Sequence, residues 1–140
     1  MIGLAQASDT DELTRLYRRN HPDIWGSLEP EVRHESQTFV ARDGDGRIIG
    51  LALVSDNDYG VRSYGVIHEL EVARDADLNT IGRSLVKACL RWLTERGTPE
   101  VYASPTNDRD CTFYRRVGFE ECGTTMYAVV PVQAAHHTFA

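Results

Sequence analysis

Apolar residues recur at helical spacing in two parts of the chain. In the longer part, residues 79–96, they fall on one helical face before Gly97 supplies a stop, at Ile81, Leu85, Val86, Cys89, Leu90 and Leu93. The stretch DELTRLYRRN repeats this pattern on a smaller scale, and Ser8 or Asp9 can cap its start. The pattern therefore predicts two amphipathic helices, one short and one long.

Alternating apolar and polar residues predict strands in the middle of the chain. The segments TFVAR and RIIGLALVS flank DGDG, whose Asp-Gly pairs favour a hairpin turn. The next segment, VIHELEV, alternates strictly. This alternation predicts one face with Ile67, Glu69 and Glu71, and an opposite face with Val66, His68, Leu70 and Val72. His68 is then a packed or partnered residue, away from the two glutamates.

Shorter signals complete the predicted order of elements. They indicate a first strand over residues 2–6, a second short helix over LEPEVRHES, a strand over EVYAS, a helix over DRDCTFYRRV that ends at Gly118, and two last strands over FEECG and TTMYAVVP. The order β-α-α-β-β-β-α-β-α-β-β is typical of an α/β domain of the α+β kind, with a mixed sheet. We expect one domain over residues 1–132 and a flexible tail over 133–140.

Composition narrows the classes of partner. The chain of 140 residues has a formal net charge of -6 and a pI near 5.3, which argues against nucleic acid as a partner. No apolar run reaches the length of about 18 residues that a membrane span needs, so no membrane partner is expected. Three cysteines without C-x-x-C spacing, and His136 and His137 without further ligands, suggest no metal site. A reducing, cytoplasmic location is the simplest expectation.

Two segments carry a family resemblance. The stretches VARDADLNTIGRSL and NDRDCTFYRRVGF resemble the acetyl-CoA-binding segments of the GNAT superfamily of N-acetyltransferases, and the order of elements is similar to the GNAT fold. In the first segment Gly82 matches a family glycine, while Asp77 stands at an Arg/Gln position and Thr80 at another glycine position. In the second, Asn107, Tyr114 and the Gly118-Phe119 pair match the family pattern.

The resemblance implies acetyl-CoA as co-substrate and indicates which residues bind it. The pantetheine arm is expected along main-chain groups around Leu70 and Val72, and the diphosphate over the amides that begin the long helix. The expected cofactor-binding residues are Leu70, Val72, Asn79, Thr80, Ile81, Gly82, Arg83, Ser84, Asn107 and Tyr114. Asp77 opposes this arrangement, because its charge repels a phosphate. The alternative interpretation is that Asp77 caps the helix and takes the anion position itself.

The resemblance also implies the catalytic groups. Glu69 or Glu71 would accept the amine proton, with Glu69 favoured because it corresponds to a glutamate common in that strand of the family. Tyr114 would protonate the departing thiolate. The alternatives stay open: both glutamates as surface or salt-bridged carboxylates, Tyr114 as a core aromatic residue, and Asn107 as an ordinary helix cap.

These observations predict an N-acetyltransferase that moves an acetyl group from acetyl-CoA directly to a primary amine of a small molecule or peptide. We expect the acceptor near a group of aromatic and acidic residues: Trp25, Glu29, Asp56, Asp58 and Tyr59. The rival interpretations are a non-catalytic binding or regulatory module with impaired CoA binding, and an acyltransferase that uses another acyl-CoA. The sequence does not encode the acceptor's identity and leaves a homodimer open.

Overall fold

Four strands form one mixed sheet. The computed structural model describes residues 1–121 and 128–129. Its strands lie in the order β1-β2-β3-β4, with bounds β1 (Arg33–Arg42), β2 (Ile48–Asp58), β3 (Ser63–Val72) and β4 (Val101–Ala103). The first three strands are antiparallel, and β4 runs parallel to β3. This arrangement confirms the predicted mixed-sheet α/β class.

Three α-helices accompany the sheet within the described residues. They are α1 (Thr10–Asn20), which follows a 3₁₀ turn at Ala7–Asp9, α2 (Arg83–Glu95), which continues a π turn at Leu78–Gly82, and α3 (Asp108–Arg116). Gly97 adopts a φ of 75°, the left-handed conformation that stops a helix, as its position after α2 predicted. The periodicity of residues 79–96 is therefore confirmed.

The β1–β2 hairpin forms at DGDG. The Asp43 carboxylate accepts hydrogen bonds from the backbone N–H groups of Asp45 and Arg47, at 2.9 and 3.0 Å. Gly46 takes a φ of 81°, which a residue with a side chain rarely adopts. The turn chemistry read from the sequence is thus the chemistry that closes this hairpin.

Two predicted elements are wrong. Residues 2–6 form no strand, and Ile2 and Leu4 are fully exposed because no neighbouring strand pairs with them. The predicted second helix over LEPEVRHES is also absent, since its second half belongs to β1. There Arg33 pairs with Asp58 and His34 with Asn57, so long-range pairing with β2 overrides the local helical pattern.

The predicted end of the chain lies mostly outside the described residues. Residues 119–121 follow α3 without forming a strand, and most of the two predicted C-terminal strands lies outside the described residues. The predicted tail over 133–140 also lies outside the described residues. The single-domain boundary at residue 132 stays a prediction.

The hydrophobic core lies between the sheet and two helices. It contains Ala52, Val54 and Ile67 from the sheet, Leu85, Val86, Cys89 and Leu93 from α2, and Phe113 and Tyr114 from α3. A side chain at Gly65 would place its Cβ 2.5 Å from Leu93, so α2 packs directly on the β3 backbone. Burial raises the pKa of the Cys89 thiol to about 11, which keeps it protonated and unreactive.

Candidate active site

A β-bulge in β3 sets the direction of the side chains around the candidate site. Val54 pairs with Ile67 and Leu53 with Glu69, which leaves His68 as an extra residue in β3. Ile67 is therefore buried in the core at 2% exposure, while Glu69 stays exposed. Leu70 and Val72 pack against the same core as Ile67. The strict alternation predicted for VIHELEV is wrong, because the bulge shifts it by one residue.

The bulge turns His68 toward the sheet face that is opposite to α2. There the His68 Nε2 lies 2.6 Å from the hydroxyl of Ser55, which is fully buried. Asn57 donates to the same hydroxyl at 3.0 Å, and its Oδ1 lies 2.9 Å from His34 Nδ1. His68 is thus partnered, as predicted, but it shares the glutamates' face. The Ser55 hydroxyl thus joins His68 and Asn57 on this face of the sheet.

The sheet opens between β3 and β4. The two strands pair only through Gly65–Val101, Val66–Tyr102 and Ile67–Ala103. Beyond Ala103 the described chain leaves the sheet, whereas β3 continues to Val72. Within the described residues, the outer edge of β3 from Glu69 to Val72 has no strand beside it. Main-chain groups of Leu70 and Val72 therefore border an opening, where the resemblance placed the pantetheine arm.

Tyr114 is a core aromatic residue, one of the two interpretations that the sequence left open, and its catalytic role stays a prediction. It is buried at 7% exposure and packs edge-to-face against Phe113 and Phe119. Its hydroxyl makes no hydrogen bond within residues 1–121, and no fully buried polar side-chain atom there lacks a partner. The hydroxyl therefore opens into the cleft that it lines beside β4. Burial raises the pKa of the phenol, with smaller contributions from Asp110, Cys89 and Glu69.

Asp77 occupies the start of the helical segment that leads into α2. Its carboxylate accepts from the backbone N–H of Asn79 at 3.0 Å and from the hydroxyl of Thr80 at 2.7 Å. The Thr80 hydrogen bond, followed by the amides of Asn79 and Thr80, lowers the pKa of Asp77. The capping interpretation thus describes this geometry, and the amide and hydroxyl expected to hold a diphosphate bind a carboxylate of the chain itself.

The remaining residues at this helix start have different surroundings. Gly82 is buried, and a Cβ there would lie 2.9 Å from Phe113 Cζ, so the glycine allows α3 to approach. Ile81 packs against the core, and the Ser84 hydroxyl donates to the Thr80 carbonyl at 3.2 Å. Arg83 is exposed. Ser84 is exposed as well, and its hydroxyl oxygen can still accept a hydrogen bond, so Arg83 and Ser84 are the residues of this group whose polar side chains are open to a ligand.

Asn107 caps α3. Its side-chain oxygen accepts from the backbone N–H of Asp110 at 2.8 Å, and its amide donates to the Asp110 carboxylate at 3.1 Å. Both polar ends of the side chain are engaged within the first turn of the helix. A contact with a cofactor arm stays a prediction.

The residues predicted to shape the acceptor region separate into two groups. The segment that contains Trp25 and Glu29 lies against the β2–β3 turn, where the Glu29 N–H donates to the Tyr59 carbonyl at 2.9 Å. Asp56 points to the opposite side, and its carboxylate accepts from Arg96 at 2.7 Å and from Thr98 at 2.6 Å. Asp56 is buried and both of its carboxylate oxygens are engaged, so this side chain is not open to an amine in this structure, and its place near the acceptor stays a prediction.

A second cleft lies between the helix start and α3. It measures about 470 Å³ and is lined by Ala76–Asn79 on one side and by Asp108, Arg109, Thr112, Phe113 and Arg116 on the other. Two arginines of α3 thus face the loop that contains Asp77. Sequence reasoning missed these arginines, although their i, i+7 spacing on a helix that carries a family motif was a usable signal.

The described residues hold neither a cluster of metal ligands nor a membrane-spanning helix. Among residues 1–121 and 128–129, no three or more His, Cys, Asp or Glu side chains are grouped so that they could hold a metal ion. In the same part of the chain, no helix is both long and apolar enough to cross a bilayer.

Comparison with known families identifies the class. Residues 10–119 match the model of the acetyltransferase (GNAT) family, and the chain belongs to that family. It is 35% identical over 91 residues to streptothricin acetyltransferase of Streptomyces lavendulae, a match that covers 64% of this chain and 47% of that protein. It is 31% identical over 93 residues to mycothiol acetyltransferase of Saccharomonospora viridis, covering 61% and 30%. The chain thus spans less than half the length of these relatives.

Solved structures show the same fold. A probable acetyltransferase aligns with a TM-score of 0.61 at 17% identity, over 92% of this chain and 95% of that one. The structure of AAC(6')-Iy in complex with the bisubstrate analogue CoA-S-monomethyl-acetylneamine aligns with a TM-score of 0.60 at 24% identity, over 69% and 70%. These alignments confirm the GNAT-like fold that the two sequence segments suggested.

Proposed function

We propose that this GNAT-family chain transfers an acetyl group from acetyl-CoA to a primary amine of a small molecule or peptide. The observation that carries the proposal is the open outer edge of β3, where main-chain groups of Leu70 and Val72 border the gap beyond Ala103. An extended pantetheine arm can add to such an edge as a strand would, through main-chain hydrogen bonds. Glu69 is exposed at this edge of β3, and Tyr114 lines the cleft beside β4.

The nucleotide end of the co-substrate fits the start of α2 in part. A diphosphate suits the amides of Asn79, Thr80, Ile81 and Gly82 and the side chains of Arg83 and Ser84, since a helix start favours anions. The Asp77 carboxylate now engages the first of these amides. Binding therefore requires that Asp77 rotate away, or that the phosphates contact later amides and Arg83.

Glu69 is our choice for the general base. Acetyl transfer requires that the acceptor lose a proton before its nitrogen attacks the thioester carbon, and that the thiolate be neutralised as the C–S bond breaks. Glu69 is exposed on the face that carries His68, and its charge contributes to the pKa of Tyr114, which indicates that it lies near that phenol. Glu71 is also exposed on that face and is the second candidate for this role.

Tyr114 suits the leaving-group side of the reaction. Its raised pKa keeps the phenol protonated at neutral pH, so that it can donate as negative charge develops on sulfur. Because a thiol has an ordinary pKa near 8.5, complete proton transfer from this phenol is uphill. We therefore assign Tyr114 a strong hydrogen bond to the thiolate, which is neutralised by the proton that the general base has taken from the amine, returned through solvent.

The character of the relatives supports an amine-bearing acceptor. Two of the similar proteins are named for a small-molecule acceptor, streptothricin in one and an aminoglycoside in the other. On this chain, Glu69 and Glu71 are exposed on one strand, and the net charge of -6 favours a cationic acceptor. We therefore place a small cationic amine ahead of a peptide as the acceptor class.

The proposal is tested in two stages. Acetyl-CoA and desulfo-CoA are first titrated in a thermal-shift assay, where a ligand that binds the native state raises the midpoint. Release of free CoA is then followed against a panel of primary amines. We expect a shift with both ligands and amine-dependent thiol release.

A non-catalytic module is the second candidate, favoured by the capping geometry of Asp77. If the carboxylate permanently holds the amide and hydroxyl groups at the helix start, the chain binds CoA poorly. An unchanged midpoint at millimolar acetyl-CoA would favour this module. A shift with propionyl-CoA or a longer acyl-CoA that exceeds the shift with acetyl-CoA would favour a different acyl donor.

A further inference from the structure

We propose that Arg109 and Arg116 of α3 bind the 3′-phosphate on the nucleotide end of CoA. This inference rests on the proposed function and assigns residues that lie outside both sequence motifs' matched positions. The two arginines line the cleft of about 470 Å³ whose opposite wall is the loop Ala76–Asn79. The amides proposed for the diphosphate begin in that loop, so this cleft is the adjacent space for the rest of the nucleotide.

Both guanidinium groups are available to a ligand. Arg109 and Arg116 are exposed, and neither takes part in an ion pair or side-chain hydrogen bond within the described residues. By contrast, the neighbouring Arg115 is bound to Glu121 at 2.6 Å. Arg109 and Arg116 lie two helical turns apart, about 10.5 Å along the axis, on the same face of α3. That face is the one that borders the cleft.

The 3′-phosphate needs formal positive charge more than the diphosphate does. A phosphate monoester carries a charge of about −1.5 to −2 at pH 7 and offers three acceptor oxygens. Backbone amides supply dipoles to a diphosphate, but a monoester dianion is best matched by the planar fork of arginine. Within this cleft, Arg109 and Arg116 are the side chains with that chemistry.

The two carboxylates in the cleft do not pair with Arg109 or Arg116. Asp77 binds Asn79 and Thr80, and Asp108 lies in the first turn of α3, where the helix start stabilises negative charge. Neither carboxylate forms an ion pair with the two arginines in the described structure. Arg109 and Arg116 also compensate for the negative charge of Asp77, which stands at the family's Arg/Gln position. CoA binding can therefore persist despite this difference from the family motif.

The test compares CoA with 3′-dephospho-CoA by isothermal titration calorimetry. For the intact chain we expect tighter binding of CoA than of the dephospho form. Arg109→Ala and Arg116→Ala should each weaken CoA binding, and the double variant should weaken it about ten- to a hundredfold, the range of charge-assisted hydrogen bonds. Binding of 3′-dephospho-CoA should stay within about twofold of the intact chain. Arg115→Ala is the matched control and should leave both affinities unchanged.

The outcomes separate this inference from the proposed function. If the intact chain binds neither ligand, the proposed function fails. If it binds both equally, or if the arginine variants lose affinity for both ligands alike, the 3′-phosphate assignment is overturned while CoA binding stands. Arg109→Gln and Arg116→Gln, checked by circular dichroism, provide the same comparison if an alanine variant is unfolded.

Discussion

At the residue scale, we expect Asp77 to affect CoA affinity most directly. Its carboxylate lies where the diphosphate is expected and holds the Asn79 amide. Asp77→Asn keeps a good helix cap and removes the charge. We expect CoA affinity to rise roughly two- to fivefold, the size of an interaction between exposed charges. Calorimetric titration at low and high salt would check this, since the gain should shrink as salt screens the charge.

The same residue predicts a pH dependence of stability. The pKa of Asp77 is lowered from its ordinary 3.8 by the Thr80 hydroxyl, so the folded state favours the ionised form. The resulting stabilisation is complete above pH 3.8 and disappears as the pH falls through the depressed folded pKa. Urea titrations across this range should show wild type losing more stability than Asp77→Asn. The control is Asp75→Asn, because Asp75 is exposed and lies two residues earlier; its stability should fall with pH as that of the wild type does. If Asp77→Asn lost as much stability as the wild type over this pH range, the capping role of Asp77 would be contradicted.

Tyr114 gives the residue-scale test of catalysis. Tyr114→Phe keeps the aromatic packing with Phe113 and Phe119 and removes only the hydroxyl. We expect kcat to fall on the order of a hundredfold with little change in the affinity for acetyl-CoA. Steady-state kinetics together with calorimetry would measure both quantities. An unchanged kcat would remove the hydroxyl from the reaction and leave Tyr114 as a core residue.

At the scale of elements, the approach of α2 to α3 depends on Gly82. A Cβ at this position would lie 2.9 Å from Phe113 Cζ and 3.1 Å from Leu78 Cδ1. Gly82→Ala should therefore destabilise the protein by about 1–3 kcal/mol, as overpacking does. Chemical denaturation measures the loss, and combining Gly82→Ala with Phe113→Leu should recover part of it. Gly44→Ala, with no atom within 4 Å of its added Cβ, should cost much less.

The β3 bulge shows why an element's pattern misled at the site. In the sequence VIHELEV, apolar and polar residues alternate regularly. Ile67 and Leu70 nevertheless both face the core, because His68 is an extra residue in β3. At the bulge, His68 forms a hydrogen bond with the buried Ser55 hydroxyl of β2. A periodicity within one strand carries no information about a hydrogen bond to a residue on its neighbour.

At the scale of the molecule, Asp56 connects the sheet to the end of α2. It is buried and binds Arg96 and Thr98, and Arg96 also binds Glu35 of β1 at 2.9 Å. Asp56→Asn keeps the shape but presents an uncharged amide to the guanidinium. We expect the melting midpoint to fall by about 3–6 °C. The control is Asp58→Asn. Asp58 lies on the same strand as Asp56 but forms a more exposed ion pair, with Arg33 of β1, so this change should lower the melting midpoint much less.

The hairpin at DGDG, the helices α2 and α3 and the family itself were predictable from the sequence. Each depends on local chemistry: Asp-Gly turns, apolar residues at helical spacing, and short motifs such as Asn107 to Phe119. The capping geometry of Asp77 was also among the alternatives, because a carboxylate at a helix start needs only its own neighbours.

Tertiary structure decided the rest of the candidate site. It extended β1 through a predicted helix, paired His68 with Ser55, buried Asp56 beneath α2, and brought Arg109 and Arg116 opposite the Asp77 loop. These features join residues that are far apart in the chain. Their energies come from pairing, burial and charge between separate elements, whereas the sequence by itself determined the features whose energies arise within a single turn, helix or strand.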